Sequence, residues 1–316
     1  MRKFGVEIEL NSFDKRDFKV NPLAMNEFPK GMDYIANLIR NLNKSVSSTG
    51  WQHTHNNTNW VCKPDSSCGI EVCSPIFTDA LEIVEVIDLL SKDKNVMADK
   101  RCSFHVHFDV SDCLVYDSYV DHKKINLDKS IELISILSWW IKCEAVFFDS
   151  FPDSRKVNRY CQFIGISDLF DLDEKINFSD FIDKLSNKYL SLNTNHLKKN
   201  FRPTIEFRTA ENSACLDSNF AKNWILFLDN FISKSISKGL PESLAWLDPK
   251  EVFYFLDLNK NIGIRDWFLS RIFTNINSNI SYWNSFRKHA FFEFKEILNN
   301  LQLDKQNCSY LDQKDK

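Results

Sequence analysis

The stretch that most limits the fold is CSFHVHFDVS, residues 102–111. Phe104, Val106, Phe108 and Val110 alternate with His105, His107 and Asp109. A two-residue period belongs to a β-strand, because a helix would spread these side chains around its axis. The chain must therefore build a sheet with one apolar face. The other face carries two imidazoles and a carboxylate. His-x-His on a strand suits a metal or a phosphate, and a polar face of hydrogen-bonded histidines is the plainer alternative.

Three further segments put charge into a strand pattern. In FGVEIEL (4–10), Glu7 and Glu9 share one face about 7 Å apart, while Val6, Ile8 and Leu10 take the other. Two such carboxylates repel unless solvent or a cation separates them. In CGIEVCSPIF (68–77), Glu71 sits between Ile70 and Val72, and Pro75 ends the strand. WVCKPDSS (60–67) precedes it, with Asp65, Ser66 and Ser67 read as turn residues. In RPTIEFRTAE (202–211), Ile205 and Phe207 alternate with Glu206 and Arg208. That pair is either a strand-face ion pair or half of a metal–phosphate site, since a guanidinium forks onto phosphate oxygens. Oxygen-rich donor sets favour Mg2+ or Mn2+ over Zn2+, and such ions serve phosphoryl transfer.

Strands are expected near 3–10, 58–63, 69–74, 102–110 and 202–209. Helices are expected at 33–42, 78–92 with Thr78 as cap, 128–148, 179–190, 217–235 and 248–258. The 128–148 segment is apolar enough to be a central packed helix. Strands and helices do not alternate regularly, and no Gly-rich phosphate loop occurs. The fold class is α+β, with a mainly antiparallel sheet and helices over it.

The net charge of -3 gives no support to a general nucleic-acid or membrane-surface binder. No apolar run could span a bilayer, and residues 1–18 carry charge throughout, so a cytoplasmic location is expected. The nine cysteines are scattered without a CxxC pair and read as mostly buried thiols. Zinc held by Cys62, Cys68 and Cys73 is the alternative.

The order Glu-x-Glu, Glu, His-x-His, Glu-x-Arg resembles the amidoligase family of the carboxylate–amine ligase (glutamine synthetase) superfamily. The resemblance rests on Gly5-Val6-Glu7-Ile8-Glu9, Trp60, Asp65-Ser66-Ser67, Glu71-Val72-Cys73-Ser74-Pro75 and His105-Val106-His107. It continues through SRKVNRYCQ (154–162), the Tyr189–Asn193 element and Glu206-Phe207-Arg208. Ser103 stands where that family has Gly, and the superfamily's mid-chain metal Glu has no clear counterpart.

The resemblance implies a sheet shaped as a funnel, in a catalytic domain at 1–235 with a helical extension at 236–316 packed on it. It implies Glu7, Glu9, Glu71, His105 and Glu206 as metal ligands for two or more Mg2+ or Mn2+ ions. His107, Arg208 and Arg155 would contact ATP, with Arg159 as another arginine for the γ-phosphate or the substrate carboxylate. Asn193 and Asp65 would face the substrate, and Glu71 or Asp65 would serve as general base. The partners would be a small-molecule or peptide carboxylate and an amine, with modified nucleobases also within the family's range. Two rivals remain: a metal-dependent hydrolase, which needs further His ligands from His122, His196 or His289, and an inactive binding protein. His53 and His55 read as loop residues.

Overall fold

In the computed structural model, residues 1–11, 28–49, 58–116, 125–126, 129–156, 158–164, 182, 185, 187–199 and 202–279 are described. The fold is mixed α/β, built on one open sheet of seven strands. These are β1 (Phe4–Leu10), β2 (Val46–Ser48), β3 (Trp60–Asp65), β4 (Gly69–Cys73), β5 (Ser103–Asp109), β6 (Leu192–Asn193) and β7 (Thr204–Glu211). Their order is β2-β3-β4-β1-β5-β7-β6, and every neighbouring pair is antiparallel except β2–β3. β1 and β5 therefore lie at the centre, flanked by β4 and β7. The four charged segments supply these four strands, while the two shortest strands take the edges.

The apolar face of the sheet carries Val6, Ile8, Val72, Phe104, Val106, Phe108, Ile205 and Phe207, all within the core. Helices cover that core: α1 (Phe28–Arg40), α2 (Val84–Lys92), α3 (Ile131–Asp149), α4 (Ser218–Lys238), α5 (Pro249–Phe255) and α6 (Ile262–Asn279). α3 is buried nearly all round, as its apolar sequence requires. Trp140 of α3 packs edge-on against Phe207 with ring centroids 4.8 Å apart, which ties this helix to the strand carrying Glu206 and Arg208. Trp139 stacks on Phe255 of α5 at 4.2 Å, and Phe227 of α4 stacks on Phe268 of α6 at 4.8 Å.

Caps fix where the helices begin. Asp248 accepts from the Glu251 amide at 2.8 Å, and Glu251 accepts from the Asp248 amide at 2.8 Å, with Pro249 following the cap. The turn before α2 is capped by Asp79 rather than Thr78; Asp79 and Glu82 form the same reciprocal box. Half of the helix expected at 179–190 lies outside the described residues, and its end is not helical, since residues 188–190 form a turn and a bridge to Gln162. His53, His55, His122, His289 and Cys308 also lie outside the described residues. The other eight cysteines are free and buried. Cys62 joins the core under the sheet, whereas Cys73 stands beside Glu7 on the opposite face, so they cannot share a zinc ion with Cys68.

One buried acid on the core side has a measurable consequence. Glu144 of α3 is fully buried and accepts from the Ile164 amide at 3.0 Å and from the Ser191 hydroxyl. Burial pushes its carboxyl from the ordinary 4.5 to about 8. Between those values the folded chain keeps a proton that the unfolded chain releases. Stability then falls as pH rises, by at most about 1.4 kcal/mol per unit. Glu144→Gln should raise the melting temperature more at pH 8 than at pH 5. Equal shifts at both values would show that Glu144 is ionised in the fold.

Candidate metal and phosphate site

The polar face of the sheet sorts its side chains into three cross-strand rows. The first runs Lys63–Glu71–Glu9 across β3, β4 and β1. The second runs Cys73–Glu7–His105 across β4, β1 and β5. The third runs Gly5–His107–Glu206–Asn193 across β1, β5, β7 and β6. Residues scattered over 200 positions meet because antiparallel pairing puts same-face residues opposite one another.

The middle of this face is dense with charge. Glu7 places Oε2 3.2 Å from His105 Nδ1 and Oε1 3.3 Å from His107 Nε2. Glu206 Oε1 lies 3.3 Å from His105 Nδ1 and is held by Arg208 Nη1. Glu206 Oε2 accepts from Asn193 Nδ2 at 2.6 Å and lies 3.8 Å from His196 Nε2. The Nε2 atoms of His105 and His107 are buried without a well-aligned hydrogen bond, although Glu7 Oε1 stands beside that of His107. Buried imidazole nitrogens beside carboxylates are a donor set that suits a metal ion. Three groups bring their donor atoms within 4.8 Å of one another: Glu7–His105–Glu206, His107–His196–Glu206 and Glu7–Glu71–Cys73. These oxygen and imidazole donors fit a divalent cation.

Protonation follows the neighbours. Burial would raise Glu206, but Arg208, then His107 and His105, bring it down to about 2. Burial would likewise raise Glu7, yet His107 and hydrogen bonds from both histidines hold it well below the usual carboxylate range. Burial, reinforced by Arg208, lowers His105 to about 4. His107 goes the other way: burial opposes its charge, and Glu7 and Glu206 outweigh burial. Burial, with Asp65 and Glu71 nearby, pushes Glu9 well up.

Glu71 is tied to a residue the strand pattern did not single out. Lys63 Nζ lies 2.6 Å from Glu71 Oε1, and both side chains are more than nine-tenths buried. Burial and Glu7 still raise Glu71 to about 7, while its carboxylate neighbours keep Lys63 firmly charged. Cys73 Sγ adds a contact to Glu71 Oε1 at 3.1 Å.

Arg155 is buried and spends its guanidinium on backbone and serine oxygens. Its guanidinium donates to the Thr209 carbonyl at 3.1 Å, to Ser103 Oγ at 2.8 Å and to the Arg208 carbonyl. These acceptors mark a β-bulge: Phe104 pairs with Ala210 but Val106 with Phe207, so β7 carries one extra residue at Arg208–Thr209. Arg155 holds that bulge, and the bulge aims Arg208. Ser103 supplies one of the acceptors.

The remaining sequence candidates fall around the rim. Arg159 is exposed, with its guanidinium 4.7 Å from the centre of the Tyr160 ring. Asp65 accepts from the Ser67 amide at 2.6 Å, a turn role, while still facing Glu9 electrostatically. Asn193 is 2% exposed and orients Glu206 rather than lining open space. Asp109 accepts from the Ser111 amide at 2.9 Å.

A cavity of about 460 Å³ opens beside the third row, lined by Glu7, His107, His196, Cys73, Lys3 and Arg202 among others. Gly5 also lines it and has no side chain to fill it. The sequence offers His196 only to the hydrolase reading, because it sits on a helical turn, Asn195–Lys199, outside any strand pattern. Its ring meets His107 edge-on, with centroids 5.2 Å apart.

No helix among the described residues is long and apolar enough to cross a membrane. No curated protein matches the chain significantly. Residues 1–232 match the family model described as "Putative amidoligase enzyme", which spans every strand of the sheet and every side chain of the three rows. The chain belongs to that amidoligase family.

Proposed function

We propose that this protein is an ATP-dependent carboxylate–amine ligase. The observation that carries the reading is the meeting of Glu7, His105, Glu206 and Arg208 on one buried sheet face, in a chain of the amidoligase family. The γ-phosphoryl group passes to a substrate carboxylate, breaking its bond to the β-phosphate oxygen and releasing ADP. An amine then attacks the acyl carbon, phosphate leaves, and an amide forms. Two or more bound Mg2+ or Mn2+ ions would neutralise phosphate charge during the transfer. Arg208 supplies a permanently charged fork for the moving phosphoryl group. Asn193 and Arg155 position the groups that act, one by holding Glu206 and the other by holding the bulge. Glu71, with Lys63 at its side, takes the proton released by the attacking ammonium. The polar face forms the wall of a funnel, with nucleotide and acyl substrate entering from opposite ends. The acyl substrate is a small-molecule or peptide carboxylate.

A second reading, a metal-dependent hydrolase, is favoured by one observation: His196 supplies a third imidazole at the site. One assay separates the two. The ligase releases ADP and phosphate only when Mg2+ or Mn2+, a carboxylate and an amine are all present, and Glu206→Ala abolishes that release. A hydrolase cleaves amides without nucleotide. Wild type and Glu206→Ala that are equally inert across a broad panel of acids and amines would remove the ligase reading.

A further inference from the structure

The two carboxylates at the centre of the site each face two ways. Glu7 turns one oxygen to His105 and the other to His107. Glu206 turns Oε1 to His105 and Arg208, and Oε2 to Asn193 and His196. The His105 side already has a cation, the Arg208 guanidinium, with Nη1 3.5 Å from His105 Nδ1. On the other side two imidazoles and a carboxylate converge, His107, His196 and Glu206, with donor atoms within 4.8 Å of one another. The Glu7 oxygen stands 3.3 Å from His107 Nε2 on that same side. His107 Nε2 is buried and makes no well-aligned hydrogen bond, with the Glu7 carboxylate as its polar neighbour. Glu7, His107 and His196 all line the cavity, so an ion held there keeps a face open to a ligand.

We infer that His107, His196 and Glu206, with Glu7, form a metal position of their own that takes a transition-metal dication in preference to Mg2+. Imidazole nitrogens suit Zn2+, Co2+ or Cu2+, whereas Mg2+ prefers oxygen ligands and keeps its waters. Glu7 and Glu206 would offer this ion the carboxylate oxygens that face away from His105. The ligand on the open face is an anionic oxygen, a phosphate or a carboxylate, because Lys3 and Arg202 line the same cavity. His107 then serves as a metal ligand and not as a direct phosphate contact. The position does not depend on the ligase reading, since a hydrolase could use the same ion.

Metal binding alone tests it, without nucleotide or substrate. The full chain is stripped with a chelator, dialysed and titrated with Co2+, read by calorimetry and by visible absorption. Wild type should bind one Co2+ that a large excess of Mg2+ does not displace. His196→Ala and His196→Gln should each weaken that ion by at least about tenfold. Circular dichroism checks that the variants fold. Pulsed electron paramagnetic resonance of wild type with one equivalent of Cu2+ should count two bound imidazoles, which needs no variant. Undiminished Co2+ affinity in folded His196 variants, ready displacement by Mg2+, or fewer than two imidazoles would overturn the inference.

Discussion

Arg208→Met should lower ADP release by about a thousandfold or more, the scale of an arginine that meets a transferring phosphoryl group. Arg208→Lys should recover little, because a lysine offers a point charge in place of a planar fork. The reason lies in the protein partners of Arg208. It pairs with Glu206 through Nη1 and donates Nε to the Tyr160 carbonyl at 3.3 Å. Glu206 has other partners, Asn193 and two imidazoles, so it is not stranded when the guanidinium goes. Stability should therefore change less than turnover. A double-mutant cycle with Glu206→Gln makes this measurable. Strong coupling in nucleotide turnover with weak coupling in stability is the expected result. Coupling in stability alone would make the pair an ordinary ion pair on a strand.

Lys63→Met should destabilise the fold by about 3–5 kcal/mol, because it strands a buried carboxylate. Glu71 is Lys63's cross-strand partner, and both side chains are under a tenth exposed. Glu71 would have to take up a proton or draw in water. The double variant Lys63→Met with Glu71→Leu should recover most of the loss, since a buried pair replaced by packed apolar side chains is often neutral. Chemical denaturation of the three variants reads this directly. A loss under about 1 kcal/mol in Lys63→Met would mean that water already reaches the pair.

The four central strands were legible because each alternates an apolar with an ionisable residue, and burial of one face forces that register. Ile205 and Phe207 lie in the core, and Glu206 and Arg208 lie opposite, as alternation requires. β2 and β6 were not legible, since three and two residues are too short to show a period. Lys63 lies between Cys62 and Pro64, where no alternation singles it out. Only the pairing of β3 with β4 puts Glu71 across from it. The family resemblance alone assigns Arg155 to the nucleotide. Its acceptors are two backbone carbonyls and a serine hydroxyl, and an irregular strand leaves no mark in the sequence of its clamp. His196 stayed outside the strand-face set for a similar reason, as a helical turn has no period-two frame to place it.

Gly5 lies across from His107 and borders the cavity, and a methyl group there would stand 3.7 Å from Ser74 Oγ and 3.8 Å from the Pro75 carbonyl. Both are ordinary contact distances, so the strand would accept alanine without distortion. Position 5 is thus a volume dial set at its lowest value. Each added carbon would narrow the entrance for bulky guests while leaving every charge in place, which makes it a size sieve that can be tuned separately from the chemistry.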